Sequence, residues 1–294
     1  MSSPNSAMAA FEELALQDGS LRWYAIADSA QHRSLPDVLL HEGVESRCLF
    51  GATLQSPLAK KSPHLVQLGS PVNETRAWKW IRLNAKFSPC LSVIATPKTF
   101  DELFNQLLIC TEVLLPDGDA MFLAFWDPAV LGTLIGQKED HTLHVPGPVL
   151  RPDQKRMLTN GLSAWWYWDR TEMLHSIAFD WSEGFAPDAS MQLDQNQVDA
   201  LVEASVPDHV LYYVELNQPH LISDVPLLWR YRTVRTSLVQ ARNIGLQTMR
   251  DLVDFVCVDL IYKERMNKDP VIVGLLKRIE LGQLTFRDAL SGFP

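Results

Sequence analysis

Apolar positions in the first part of the chain fall alternately into short continuous runs and helix-spaced stripes. Leu21 to Ala27 (LRWYAIA) closes on Asp28-Ser29 and reads as a strand, and Leu35 to Leu40 follows with helical spacing. Cys48-Leu49-Phe50, ending at Gly51, and His64 to Leu68, ending at Gly69-Ser70-Pro71, predict two further strands. Thr75 to Leu83 puts Ala77, Trp78 and Ile81 on one helical face, and Cys90 to Ile94, bounded by Pro89 and Thr96-Pro97, predicts the next strand. The clearest helix is Thr99 to Thr111. Thr99 and Glu102 have capping-box spacing, and Phe100, Leu103, Phe104, Leu107 and Leu108 line one face. Glu112 to Leu115 and Ala120 to Trp126 flank the turn formers Pro116-Asp117-Gly118-Asp119 and predict a hairpin. Asp127-Pro128 then opens a helix, with Asp as N-cap and Pro in the first helical position.

Strands alternating with helices predict an α/β lobe over residues 21–182, built on a mixed, mainly parallel sheet flanked by helices, behind an N-terminal tail of residues 1–20. Residues 183–193 are small, polar and Pro/Gly-containing, the composition of a linker. Residues 194–294 predict a smaller, mainly helical C-terminal lobe. In it Asp194 and Gln197 cap a short helix through Val202, and Val210 to Leu216 reads as a strand. Leu227, Tyr231, Val234, Leu238 and Ala241 then share one helical face. After the Asn243-Ile244-Gly245 break, Val253, Val256, Cys257, Leu260 and Ile261 share another, and segments at Pro270 to Leu281 and Thr285 to Leu290 complete the lobe.

Composition supports a chain that folds on its own apolar surface: 294 residues are 47% hydrophobic and 21% charged, so no disulfide or metal staple is needed. The formal charge of -9 argues against nucleic acid and anionic membranes as general partners. Cys48, Cys90, Cys110 and Cys257 lie far apart without a CxxC pair, the usage of reduced thiols in a cytosol. No basic residue precedes Arg22, so no signal peptide is expected, and the longest apolar run, Ala120 to Trp126, is far short of the roughly 20 residues that span a bilayer. A soluble, cytoplasmic protein is the expectation.

The chain lacks GxGxxG and GxxxxGK[ST], and Gly161-Leu162-Ser163-Ala164-Trp165 approaches the GxSxG elbow without its second Gly. His141 and His144, beside Glu139 and Asp140, are the densest group of metal-ligand types, but their spacing converges two imidazoles only on a helix. Gly136 and Pro146-Gly147-Pro148 make the segment a loop, which favours solvated polar residues and leaves a metal-dependent hydrolase as an alternative. His32, His41, His64, His175, His209 and His220 are isolated, and Asp251 and Asp254 of the Asp251/Asp254/Asp259 group fall on the polar side of their helix. Arg230, Arg232, Arg235 and Arg242 form a basic stretch that suits nucleic acid or an acidic protein, against ion pairs with Asp224, Asp251 and Asp254. Trp165, Trp166, Tyr167 and Trp168 stand in a row. Consecutive residues cannot all face one core, so at least one is expected to be exposed or to cover a lobe boundary, as a hydrophobic joint or as an anchor for a partner. No catalytic residue, cofactor or resident metal is expected.

Several stretches, in order, carry a family likeness. Trp23-Tyr24-Ala25-Ile26-Ala27-Asp28 resembles an opening "YALLDGA" strand, and Ser62 to Leu68 resembles a "PWLVEL" segment. Met121 to Leu131 (MFLAFWDPAVL) resembles an "LFRFYDPRVL" signature, and Gly147-Pro148 followed by Trp165-Trp166 resembles a "GP...WW" stretch. The family is that of the type VI secretion effector adaptors, or effector chaperones, of the Tap/TEC and VasW kind. The resemblance covers about residues 21 to 182, with Ser29 where a Gly is usual and His64 where Trp is commoner. It implies a cytoplasmic, non-catalytic protein that binds a toxin effector and helps load it on the VgrG spike. Partner-binding candidates are Trp165, Trp166 and Trp168 in the first lobe and Arg230, Arg235 and Arg242 in the second.

Overall fold

The computed structural model describes residues 4–31, 45–53, 56–70, 72, 74–85, 90–179 and 191–294. The expected helix at Leu35 to Leu40 and residues 183–190 of the expected linker lie outside the described residues. The chain divides into two compact units, Met1–Leu201 and Val202–Pro294.

The first unit is built on a sheet of six strands. They are β1 (Arg22–Asp28), β2 (Ser46–Cys48), β3 (Pro63–Gln67), β4 (Leu91–Thr96), β7 (Ala164–Trp168) and β8 (Leu174–Ala178), in the order β2-β3-β1-β4-β7-β8. Every neighbouring pair is antiparallel, which corrects the expected mainly parallel sheet. The reason lies in where β1 sits. β3 and β4, joined through helix α2 (Arg76–Asn84), do run in the same direction, as a strand–helix–strand unit should, but β1 lies between them and pairs antiparallel with both. Among the described residues, an isolated parallel bridge joins Leu114, the last residue of a short strand outside this sheet, to Gln192.

Helices cover both faces of this sheet. On one face Tyr24, Ile26, Leu65, Ile94, Trp165 and Tyr167 pack under α3 (Phe100–Ile109) and α4 (Pro128–Ile135). On the other, Trp23, Ala25, Val66, Val93, Trp166 and Trp168 pack against α2 and a helix α1 (Pro4–Gln17), which occupies the stretch expected as a tail. Phe11 of α1 meets Trp166 edge-on with ring centroids 5.0 Å apart, and Trp23 stacks on Trp166 at 5.7 Å. Trp165 to Trp168 therefore alternate between two cores, and all four are buried. Alternation along the strand holds as expected. The expected exposure fails because neither face of β7 is left open.

Local signals are realised where they are self-contained. Thr99 and Glu102 form a reciprocal capping box at the start of α3, although Leu108 of the expected apolar face is exposed. β5 (Glu112–Leu114) and β6 (Ala120–Phe122) form the expected hairpin. Asp127 caps α4, its Oδ1 accepting the N–H groups of Ala129 and Val130 at 2.8 and 3.2 Å. Before α5 (Pro152–Thr159), Gly147 shows why its position requires glycine: φ is +67°, and a Cβ there would lie 2.0 Å from the Thr133 carbonyl oxygen.

Helix α6 (Gln195–Asn217) starts at the Asp194/Gln197 capping box and runs on through Pro207, with the boundary between the units inside it. This corrects the short helix through Val202 and the strand over Val210 to Leu216. The β-branched, aromatic run has strand propensity, but Val206, Val210 and Val214 recur every four residues and share a buried face. In the second unit α7 (Leu227–Asn243), α8 (Met249–Tyr262), α9 (Pro270–Glu280) and the short α10 (Phe286–Ala289) close a core around Val234, Leu238, Phe255, Val256 and Ile272. The α7 stripe is buried at Tyr231, Val234, Leu238 and Ala241, whereas Leu227 is 78% exposed. No helix among the described residues is long and apolar enough to cross a membrane.

Candidate functional site

Two features of the molecule carry functional information: a buried polar cluster in the first unit and an exposed apolar surface in the second. The cluster begins with Asp140 in the loop after α4. Its Oδ1 accepts from the Thr142 N–H and hydroxyl, and its Oδ2 accepts from the Tyr167 hydroxyl at 3.0 Å. Asp169, where the chain turns from β7 to β8, accepts the Thr171 N–H, the Thr171 hydroxyl and the Met173 N–H on Oδ1. Its Oδ2 lies 2.9 Å from Nε2 of His175 on β8. The hairpin register sets Tyr167 opposite His175, and their rings stand 5.3 Å apart. Burial pushes the Asp169 carboxyl up, but hydrogen bonds from His175, Thr171 and Met173 outweigh it and hold the group below the usual carboxylate range. Burial, reinforced by the Asp140 charge, drives the Tyr167 phenol far above its ordinary value. A cavity of about 20 Å³, room for one water, joins this cluster to the Asp127-capped junction and is lined by Asp127, Asp140, Thr142, Asp169 and Arg170 among others.

The sequence singled out Asp140 but grouped it with His141 and His144. His141 is exposed and His144 half-buried, in a loop, so their three-residue spacing does not bring the imidazoles onto one helical face. Asp169 and His175 were missed because a tight turn, not proximity in sequence, puts them on the same face. The available signal was Asp169-Arg170-Thr171, an Asp followed two residues on by Thr, which favours a side-chain-closed turn.

The two departures from the adaptor motifs come together. The Ser29 hydroxyl lies 3.3 Å from His64 Nδ1, both residues buried. A Ser–His pair is the beginning of a nucleophilic site, and a nucleophile also needs a path for substrate; here both side chains are buried. Burial holds His64 below its ordinary value and pushes the neighbouring Asp28 carboxyl up.

Of the expected partner-binding residues, Trp165, Trp166 and Trp168 are internal and present no face to a partner in this structure. Arg230 reaches Glu215 at 2.9 Å and the Val225 carbonyl, and Arg242 reaches Glu203 at 2.6 Å. Arg235 is half-buried on the same helix. Asp251 accepts from the Thr248 hydroxyl at the start of α8, and Asp254 lies 3.8 Å from Arg250. Asp259 accepts from the Ser237 hydroxyl, and burial pushes its carboxyl up. What the sequence did not single out is the exposed apolar set at the end of α6 and the start of α7: Tyr212, Tyr213, Leu216, Leu227, Leu228 and Trp229. The Arg230–Glu215 pair at 2.9 Å links these two helix ends, and Arg232 lies over the Trp229 ring at 5.2 Å.

A protein-family model described as "Domain of unknown function (DUF4123)" matches residues 23–144, from β1 through the Asp127-capped helix to the loop that carries Asp140. No curated protein and no solved structure matches the chain.

Proposed function

We propose that the protein is a non-catalytic adaptor that binds a toxin effector of a type VI secretion system in the cytoplasm and promotes its loading on the VgrG spike. The matched segment supports this reading because it covers three of the four stretches that resemble such adaptors, all but the Gly147-Pro148/Trp165-Trp166 one: WYAIAD lies in β1, HLVQ lies in β3 and the FWDP sequence leads into α4. The observation that carries it is the apolar surface of the second unit. Leu227 is 78%, Leu216 60%, Tyr212 58% and Trp229 47% exposed, and exposed large apolar side chains of these types are enriched at protein-binding surfaces. The cargo is assigned to this surface and the spike to the first unit. The alternatives draw less support, since His141 and His144 sit in a loop and Arg230 and Arg242 are engaged by carboxylates.

The test is co-purification of the tagged full chain with the toxin and spike proteins of the same secretion cluster. The toxin is expected to be retained by the wild type and lost by a Leu227→Glu/Trp229→Glu double variant of unchanged thermal stability. Retention of the toxin by the double variant would remove the cargo assignment, and failure of the wild type to retain either protein would remove the adaptor reading.

A further inference from the structure

We propose that Asp140, Asp169 and His175 bind one first-row divalent cation, of the Mn²⁺ or Zn²⁺ type, which ties the β7–β8 hairpin to the loop after α4. This site goes beyond the adaptor reading and does not depend on it. All three residues are buried, and one potential ligand atom from each lies within 4.8 Å of the other two. The 2.9 Å between His175 Nε2 and Asp169 Oδ2 is close to the separation of two neighbouring ligands that each sit about 2.1 Å from an ion at a right angle. One imidazole and two carboxylates are a set that suits Mn²⁺ and Zn²⁺, and the absence of a thiolate or thioether from it disfavours soft ions.

Charge gives a second, independent reason. Asp140 is 3% exposed, and its hydrogen-bond donors, the Thr142 N–H, the Thr142 hydroxyl and the Tyr167 hydroxyl, are all neutral. Asp169 is 7% exposed, with His175 Nε2 2.9 Å from its Oδ2. Two carboxylates this close, out of water, repel each other, and buried charges persist where they are paired or coordinate a metal. A divalent ion between them neutralises both. The adjoining cavity of about 20 Å³ accommodates a water to complete the coordination. Thr142, Thr171 and Tyr167 already hold the carboxylates in position, the work of outer-shell partners in metal sites. Arg170 also lines the cavity, and its charge lowers the affinity relative to an all-acidic cage.

The experiment uses the full chain, stripped with EDTA and titrated separately with Mn²⁺, Zn²⁺, Co²⁺ and Mg²⁺. Calorimetry and the thermal midpoint are recorded together. One ion per chain is expected, with a raised midpoint reversed by EDTA and with Mn²⁺ or Zn²⁺ preferred to Mg²⁺. Asp140→Asn and His175→Gln should each weaken binding by at least tenfold, while a His141→Ala/His144→Ala double variant binds as the wild type does. Where a variant fails to fold, Mn²⁺ added to the unaltered chain should broaden the backbone amide signals of Thr142, Arg170 and His175 before those elsewhere. The site is overturned by a midpoint indifferent to metal and EDTA, by binding that survives His175→Gln but not the His141/His144 change, or by broadening centred on another part of the chain.

Discussion

The two units bury their apolar residues to different degrees. In the first, a sheet covered on both faces takes in almost everything large, including four consecutive aromatic residues. The second has less than half the length yet, among the described residues, leaves more large apolar side chains exposed, including Tyr212, Leu216, Leu227, Trp229, Ile261 and Val271. The difference follows from geometry. A two-faced strand buries every residue it carries, whereas each helix of a small bundle buries one stripe and shows the rest to solvent. Apolar residues on the uncovered side of α6 and α7 therefore add nothing to the second unit's own core.

Substitutions can break that contrast, beginning with the aromatic layer. Trp166→Ala should lower the stability of the first unit by about 3–5 kcal/mol, because it opens a cavity between Trp23 and Phe11. Tryptophan fluorescence in urea isolates the effect, since Trp229 is the one tryptophan beyond residue 201.

Acid should separate the units next. His64 is held below its ordinary value, so on acidification the unfolded imidazole takes its proton first. The first unit then loses stability as pH falls from about 6.5 toward the folded value, with a slope of up to about 1.4 kcal/mol per pH unit for one proton. In the second unit the raised Asp259 works the other way: the folded carboxyl protonates first, and stability grows as pH falls through its raised value, fully gained below 3.8. Asp28 adds a gain of that same sign to the first unit. Urea midpoints of fluorescence and of helical circular dichroism at pH 7 and pH 5.5 check the contrast, and His64→Gln should abolish the acid-side loss.

A milder change is Asp127→Ala, which removes the acceptor for two N–H groups and should cost about 1 kcal/mol in the fluorescence-detected midpoint. The smallest effect is expected for Trp229→Ala, within about 0.5 kcal/mol by circular dichroism. A large loss there would mean that the ring supports the fold, and the apolar surface would no longer need a partner to explain it.

What the sequence revealed was local. The Thr99/Glu102 and Asp194/Gln197 boxes, the Asp127 cap and the β5–β6 hairpin each depend on residues a few positions apart, and all are present. What stayed hidden depends on distant partners. Strand–helix alternation is the same in a parallel sheet and in one where β1 is inserted between β3 and β4. The pattern of Trp165 to Trp168 demanded two faces, but nothing near them in sequence announced that Met8 and Phe11 would cover the second one. The metal-ligand types were legible one by one, and only the turn at Asp169 decides that Asp140 meets His175 instead of His141.

The place of α1 bears on how the chain is made. This helix is synthesised well before the strand that seats it, since its pocket includes Trp166 and Trp168, which follow only when most of the first unit has been made. Until then Phe11 and the indoles of Trp23 and Trp78 have no finished pocket. The nascent polypeptide must wait with its stickiest rings uncovered, an interval in which a holdase would matter more than at any later time.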